Sequence, residues 1–309
     1  MVGGSMSLIT LHKIEATGND FLVVDARHWD PAVLVAQAAQ LCDRSKGFGA
    51  DGLLLLGLPS ELADGVDGLE QAHCSMRLIN ADGSDAEMSG NGVRALGLFA
   101  VSIGLGTEGV LRVDTAAGRK VLDLEIDKEG VLVYATVDMG AVAFDSASIP
   151  TTAQDPRGLS AIIDGVRYSG DAAGIGNPHW VLLVEAPAKA LVVEHGPILE
   201  LDERFPNRTN VEFISLTPGE SNAITMRVWE RGVGETLSCG TGASAAAAVA
   251  NRMGLVGDLV TVHVPGGDLL VEIRDGAEGQ IGAKSIRLGG PVAHVAEITL
   301  ESKDFTSSL

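Results

Sequence analysis

The sequence predicts a mixed α/β (α+β) fold of two similar domains, each a curved, mainly antiparallel sheet or barrel around a central helix. First, Ser89-Gly90-Asn91-Gly92 is echoed at position 239 by Cys239-Gly240-Thr241-Gly242, and each motif opens a helix. Second, turns at Gly118 and Gly267 precede alternating strands at nearly the same offset. Third, the helix after the second motif is small or apolar on all sides, which is typical of a helix buried all round.

These repeats indicate an internal duplication. The turn Gly18-Asn19 also resembles Gly176-Asn177, and each feeds an apolar strand. The offset there is 158 rather than 150, so the first half needs about eight extra residues, and the loop 59–72 is predicted to hold them. We predict a first domain at 8–142, completed by a returning strand at 291–301, and a second domain at 143–290.

The individual elements follow from apolar periodicity and from turn residues. Asp30-Pro31 is a plausible start for a helix over 32–42, because proline fits the first helical turn. Gly47-Phe48-Gly49-Ala50-Asp51-Gly52 formally matches GxGxxG, but it follows a helix and precedes a strand, so we interpret it as a helix-to-strand turn and not as a nucleotide loop. The segment 191–194 is ambiguous. Strands are predicted over 9–14, 21–24, 53–56, 76–79, 111–114, 121–126, 131–137, 166–168, 180–183, 210–214, 224–229, 269–273 and 295–300.

Composition limits the possible partners. The 309 residues carry a formal net charge of −19, which disfavours nucleic acid and anionic membrane surfaces as partners. No apolar run approaches the length of a spanning helix. Met1-Val2-Gly3-Gly4-Ser5 lacks the basic start of a signal peptide and is typical of linker residues. The three cysteines show no CxxC spacing, so we expect no disulfide framework, no metal site and a reducing, cytoplasmic location.

The chemistry indicated by the repeat centres on Cys239. A thiol at a helix start has a lowered pKa, which predicts a thiolate at neutral pH; the alternative is a buried structural cysteine. His179 is the only histidine within a repeated motif, and nothing near it in sequence orients it. The two helix N-termini are expected to face each other and to hold a carboxylate on backbone N–H groups. Because no lysine has a pyridoxal-phosphate setting, we predict racemisation or epimerisation without a cofactor.

The chain resembles the diaminopimelate epimerase family. The motifs that carry this resemblance span 9–300 and are Gly18-Asn19-Asp20-Phe21, Gly49-Ala50-Asp51-Gly52, Asn80-Ala81-Asp82-Gly83-Ser84, Gly90-Asn91-Gly92-Val93-Arg94, Gly176-Asn177-Pro178-His179, Thr209-Asn210-Val211-Glu212 and the run from Glu230 to Gly242. The resemblance implies two domains related by a pseudo-twofold axis, and interconversion of L,L- and meso-diaminopimelate in lysine and peptidoglycan-precursor synthesis. It implies a diamino-dicarboxylic acid substrate, no metal or cofactor, and a homodimer.

The resemblance also assigns roles to particular residues. Cys239 is expected to be one of two catalytic thiols. Gly90 with Asn91, and Gly240 with Thr241, are expected to bind the carboxylate at the reacting centre. An arginine can grip a carboxylate through two hydrogen bonds, and a glutamate can accept from an ammonium group. The remaining substrate-binding residues implied by the family are Asn19, Asn80, Asn177, Asn210, Glu230 and Arg231.

Ser89 departs from the family pattern, which has the second catalytic cysteine at this position. A serine hydroxyl is far less acidic than a thiol, and losing a positioned general acid or base costs about 10²- to 10⁴-fold in rate. Three explanations stay open: an introduced substitution, a natural but slower epimerase, or a changed reaction, as in proline-racemase-like dehydratases with a hydroxyl residue at this place. A ligand-binding homologue without turnover is a fourth reading.

Overall fold

The computed structural model describes residues 8–59, 71–86, 88–106, 108–276 and 284–301, and most of the predicted insertion at 59–72 lies outside these ranges. The chain forms two compact units. Unit 1 comprises Met1–Val137 and Pro291–Leu309, and unit 2 comprises Asp138–Gly290. The domain limits that we drew from the sequence, at 8–142 with 291–301 and at 143–290, stay a prediction.

Unit 1 is built around one sheet in which most neighbouring strands are antiparallel. The strand order is β18-β1-β2-β3-β4-β6-β7-β8, with the short β5 also beside β4. Only β2 with β3 and β4 with β6 run parallel among the pairs described. The strands are β1 Leu8–Ala16, β2 Asn19–Asp25, β3 Gly52–Gly57, β4 Cys74–Asn80, β5 Asp85–Ala86, β6 Val110–Thr115, β7 Gly118–Ile126, β8 Leu132–Val142 and β18 Ala293–Glu301.

Two helices cover this sheet in different ways. Helix α1, Pro31–Cys42, begins at the predicted cap, where the Asp30 carboxylate accepts from the N–H of Ala32 at 2.9 Å, and it packs on β3 and β4. Helix α2, Gly90–Ser102, is buried along nearly its whole length and contacts β1, β2, β3, β4, β7 and β18. A helix with no solvent face needs no polar stripe, which explains its mostly small and apolar sequence; its buried polar side chains are Asn91 and Arg94.

Unit 2 repeats this arrangement. Its strand order is β9-β10-β11-β12-β13-β15-β16-β17, with β14 beside β13 and with parallel pairs at β11–β12 and β13–β15. The elements are β9 Leu159–Ile163, β10 Val166–Gly174, β11 Pro178–Leu183, α3 Val192–Glu200, β12 Asn210–Leu216, β13 Ala223–Glu230, β14 Gly234–Thr236, α4 Gly240–Arg252, β15 Leu259–Val264, β16 Gly267–Asp275 and β17 Lys284–Pro291. Helix α4 contacts six strands of its sheet.

The duplication predicted from the sequence is therefore present element by element. Strands β1 to β8 with α1 and α2 correspond in order and pairing to β10 to β17 with α3 and α4. Gly18 and Gly176 both have positive φ, at 85° and 78°, in the turn that leads into β2 or β11. Glycine adopts this backbone conformation without steric cost, and in both copies an asparagine follows it, at the first residue of β2 and immediately before β11.

Several elements differ from the sequence expectations. The ambiguous segment 191–194 leads into α3, which contains Gly196 and Pro197, two residues that oppose helix formation. Strands β5, β9, β14, β15 and β17 were not predicted as strands. The turn at 47–52 does connect α1 to β3, as expected. Within the described ranges, no helix is both long and apolar enough to cross a membrane.

Candidate active site

The two half-sites begin at equivalent helix caps. Ser89 caps α2 with φ −137° and ψ 123°, and its Oγ accepts from the N–H of Gly92 at 3.0 Å. Cys239 caps α4 with φ −135° and ψ 113°, and its Sγ accepts from the N–H of Gly242 at 3.4 Å. Nearly identical backbones thus present a hydroxyl in unit 1 and a thiol in unit 2. The helix that follows each cap offers N–H groups suited to an anion.

A directed chain of hydrogen bonds organises the half-site of unit 1. The buried guanidinium of Arg94 donates to Asn91 Oδ1 at 2.5 Å, and Asn91 Nδ2 donates to Asn19 Oδ1 at 2.6 Å. Asn19 Nδ2 then donates to Asp51 Oδ2 at 2.9 Å, and Arg44 donates to Asp51 Oδ1 at 2.7 Å. Each amide is fixed in one orientation, because its oxygen accepts and its nitrogen donates. Two of the residues expected to bind substrate, Asn19 and Asn91, are therefore held together.

Asn80 lies at the end of β4 and bonds within its own turn. Its side chain donates to Ser84 Oγ at 3.0 Å, and its N–H donates to the carbonyl of Ser84 at 2.8 Å. No described hydrogen bond links Asn80 to the chain between Arg94 and Asp51. Asn80 is nevertheless the register partner of Gly52, and the N–H of Ala81 donates to the carbonyl of Asp51 at 3.2 Å, so the turn of Asn80 lies beside Asp51.

Cys239 in unit 2 is nearly buried and lies among carboxylates. Burial raises the pKa of its thiol well above the ordinary value, and the charges of Glu230 and Glu212 raise it further. The hydroxyl of Thr241, 3.5 Å from Sγ, acts in the opposite direction. The predicted lowering of this pKa is therefore wrong in direction, because burial and the two neighbouring carboxylates disfavour the thiolate.

A second buried group lies beside this cap. His179 Nδ1 is 2.7 Å from Glu212 Oε1, and its Nε2 is 2.8 Å from Asn177 Oδ1. Both His179 and Glu212 are fully buried. Burial raises the pKa of the Glu212 carboxyl, while the neighbouring imidazole lowers it. The sequence identified Asn177 as a binding residue, and the structure places its half-buried side chain against His179 of this pair.

The other expected binding residues of unit 2 lie where β12 begins and β13 ends. Asn210 accepts from the backbone N–H of Arg231 at 3.0 Å and donates to the carbonyl of Pro178 at 3.0 Å. Thr236 donates to Glu230 Oε1 at 2.5 Å. The guanidinium of Arg231 donates to a backbone carbonyl, that of Asn207, at 3.3 Å. Asn210 thus fixes the backbone of the turn that carries Arg231.

Four residues in these half-sites were not selected from the sequence as site residues: Asp51, Arg94, His179 and Glu212. Glu212 had a visible signal, since it is a charged residue inside the otherwise apolar strand Val211-Glu212-Phe213-Ile214. Asp51 lies in a segment that we interpreted only as a helix-to-strand turn, and nothing in the sequence around Arg94 distinguished it from other helical arginines. Over the parts of the chain that are described, no three His, Cys, Asp or Glu side chains form a cluster that could hold a metal ion.

The fold is shared with solved structures of low sequence identity. A hydroxyproline epimerase from Agrobacterium vitis, solved with bound trans-4-hydroxy-L-proline, superimposes with a TM-score of 0.68 at 16% identity, covering 95% of this chain and 92% of that chain. A phenazine biosynthesis protein of the PhzF family from Bacillus anthracis gives a TM-score of 0.67 at 16% identity, covering 96% and 99%. The chain therefore has the fold common to these proteins.

Closer relatives define the family. The model of the diaminopimelate epimerase family matches residues 12–144 and 172–287. A diaminopimelate epimerase of Pelotomaculum thermopropionicum is 39% identical over 288 residues, which covers 92% of this chain and 95% of the relative. One of Desulfitobacterium hafniense is 40% identical and covers 86% and 90%. The chain belongs to the diaminopimelate epimerase family, and the resemblance that its motifs indicated is confirmed.

Proposed function

We propose that this protein is a cofactor-independent amino-acid epimerase that interconverts L,L- and meso-diaminopimelate by two-base proton transfer at the α-carbon. The observation that carries the proposal is the duplicated helix cap. Cys239 and Ser89 occupy equivalent caps with matching backbone angles. In a two-base inversion one group removes the α-proton and another returns a proton to the opposite face, so the reaction needs two such positions.

In this proposal Cys239 is one proton carrier, and position 89 is the place of the other. The N–H groups that follow each cap, at Gly90 with Asn91 and at Gly240 with Thr241, stabilise the carboxylate next to the reacting carbon as negative charge develops. The distal ammonium and carboxylate of the substrate are bound by polar side chains. These side chains are Asn19, Asn80, Asn177, Asn210, Glu230 and Arg231.

Ser89 lowers the rate but leaves the framework of its half-site unchanged. A hydroxyl does not act as a resident base near neutral pH, whereas a thiol can. The substitution Ser89→Cys should fit, because Cys239 already occupies the same backbone conformation at the equivalent cap. We expect the variant to exchange α-protons about 10²- to 10⁴-fold faster than the parent chain.

The test is α-deuterium incorporation in D₂O, followed by NMR, with L,L-diaminopimelate and separately with the meso isomer. The parent chain, Ser89→Cys and a Cys239→Ala control are compared at equal concentration. Exchange that rises strongly in Ser89→Cys and disappears in Cys239→Ala supports the proposal. No exchange in Ser89→Cys with either isomer contradicts it.

Ser89 itself favours a second function, ligand binding without turnover. If this is the function, diaminopimelate would bind to the parent chain and to Ser89→Cys with similar affinity, and neither protein would exchange the α-proton of the ligand. Isothermal titration with both proteins, run beside the exchange assay, distinguishes the two functions. A homodimeric assembly and a cytoplasmic location stay predictions, and sedimentation velocity tests the first of them.

A further inference from the structure

The two half-sites share a backbone plan but differ in one buried pair of side chains. In unit 2, His179 on β11 is the parallel register partner of Asn210, and Glu212 follows two residues along β12. In unit 1, Phe21 on β2 is the register partner of Gly52, and Leu54 follows two residues along β3. The ionisable pair beside Cys239 thus corresponds by register to an apolar pair in unit 1.

The glycines of the two caps support this correspondence. A Cβ placed on Gly242 would lie 2.8 Å from Glu212 Oε1 and 3.3 Å from Cys239 Sγ. A Cβ placed on Gly92 would lie 3.5 Å from Leu54 Cδ2 and 3.3 Å from the Oγ of the serine that caps α2. Glu212 Oε1 and Cys239 Sγ are therefore at most about 6 Å apart, the sum of the two distances. The leucine and the glutamate occupy the same place behind their caps.

The hydrogen bonds of the pair define how many protons it holds. With Asn177 oriented as in the structure, His179 Nε2 donates to Asn177 Oδ1. The contact of 2.7 Å between Nδ1 and Glu212 Oε1 then contains one further proton, which lies on the imidazole or on the carboxyl. Both side chains are fully buried, so this proton does not exchange directly with water.

The second oxygen of the carboxyl gives an independent sign of function. Glu212 Oε2 is buried and has no hydrogen-bond partner among the described residues. A buried polar atom without a partner destabilises a fold, and such atoms in native proteins call for a functional explanation. Leucine at the equivalent place of unit 1 shows that the fold itself does not need a carboxyl there. The burial of a carboxyl where unit 1 has a leucine calls for a function specific to the Cys239 half-site.

We propose that Glu212 is a positioning residue of the Cys239 half-site, which shares one buried proton with Nδ1 of His179 and thereby fixes the orientation and protonation of that imidazole. This inference adds a further residue to the site of the proposed function, and its kinetic test rests on that function. The ionisable groups that face Glu212 are His179, Glu230 and Cys239. Among the described residues, the equivalent place behind the Ser89 cap holds Leu54 and not a carboxyl.

The test uses Glu212→Gln, which keeps the shape of the side chain but removes its charge, and Glu212→Asp, which keeps the charge. Asp171→Asn is the matched control, because Asp171 is also a buried carboxylate of unit 2 but bonds to the backbone of Gly158. All three are measured in the full chain that carries Ser89→Cys. We expect Glu212→Gln to lower kcat about 10- to 100-fold, with KM changed less than threefold and with an altered pH profile of kcat.

Glu212→Asp should recover part of the lost kcat, and Asp171→Asn should retain the full kcat and pH profile. If Glu212 had only a structural role, its variants would lose activity in proportion to the loss of folded protein, and the pH profile of kcat would not change. An unchanged kcat and pH profile in Glu212→Gln would overturn the proposal.

A second readout does not depend on turnover. The proton shared by His179 Nδ1 and Glu212 should give a strongly downfield ¹H resonance, assigned by its loss in His179→Gln, and a one-bond coupling to ¹⁵N shows whether it lies on the imidazole. It should move upfield in Glu212→Gln and stay in place in Asp171→Asn. A resonance unaffected by Glu212→Gln would overturn the positioning role even in a protein that epimerises. A resonance that responds in a protein without α-proton exchange would support the pair while contradicting the proposed function.

Discussion

Gly242 and Gly92 form a matched pair that tests how closely each central helix approaches its sheet. Both are the third residue of their helix, and both donate their N–H to the cap side chain. Replacement by alanine should favour each helix by up to about 1 kcal/mol, since glycine is a poor helix former. Because this gain is common to both variants, the difference between them reports the local packing.

The surroundings of the two added methyl groups are unequal. At Gly242 the new Cβ would lie 2.8 Å from Glu212 Oε1, which is already bonded to His179 at 2.7 Å and is fully buried. At Gly92 its nearest neighbours would be Ser89 Cβ at 3.1 Å and Ser89 Oγ at 3.3 Å. The carboxyl cannot withdraw without weakening its bond to His179, whereas the serine side chain needs a shift of a few tenths of an ångström.

Overpacking of a buried site costs about 1–3 kcal/mol. We therefore expect Gly242→Ala to be less stable than Gly92→Ala by about 1–3 kcal/mol, and to show the larger loss of α-proton exchange. Urea unfolding followed by circular dichroism gives the two midpoints, and the exchange assay gives the activities. Equal midpoints, or a Gly242→Ala protein more stable than Gly92→Ala, would refute the close packing of α4 against Glu212.

Two further predictions concern one half-site each. Iodoacetamide should alkylate Cys239 slowly at neutral pH and faster only above the ordinary thiol pKa of about 8.5, because burial and two carboxylates raise its pKa. Glu230→Gln should speed this reaction at any given pH, and a profile in the parent chain like that of a free thiol, read by peptide mass spectrometry, would contradict the assignment. Arg94→Lys keeps the buried charge but loses the bond to Asn91, so kcat/KM should fall roughly tenfold, corresponding to about 1.5 kcal/mol for one charged hydrogen bond. An unchanged kcat/KM in steady-state kinetics would show that Asn91 does not depend on Arg94.

The duplication could be predicted because glycine motifs recur at fixed spacing, and glycines mark turns whose geometry other residues disfavour. Elements without such markers were harder to find. Strand β9 was missed although Asp164-Gly165 between it and β10 is a strong hairpin signal. Helix α3, whose first residues lie in the ambiguous segment 191–194, contains Gly196 and Pro197, which oppose helix propensity; its place in the repeat, equivalent to α1, is the better guide.

The sequence predicted those parts of the site that lie within a single local motif. The caps at Ser89 and Cys239 were found because each helix start is a single local motif. The contact of His179 with Glu212 depends on the parallel register of β11 and β12, which no local pattern specifies. The direction of the pKa shift of Cys239 was predicted wrongly for the same reason: a helix start is visible in sequence, but burial and carboxylates from other strands are not.

The comparison of the two halves separates what duplication preserved from what it allowed to diverge. The backbone angles at the two caps agree closely, so a thiol introduced by Ser89→Cys would meet the same helix terminus as Cys239. Its buried support within its own unit would differ, because Leu54 stands where Glu212 stands in unit 2. Equal backbones with unequal charges should give two thiols of unequal acidity, so a single proton shared between the two carriers would rest mainly on the less acidic one.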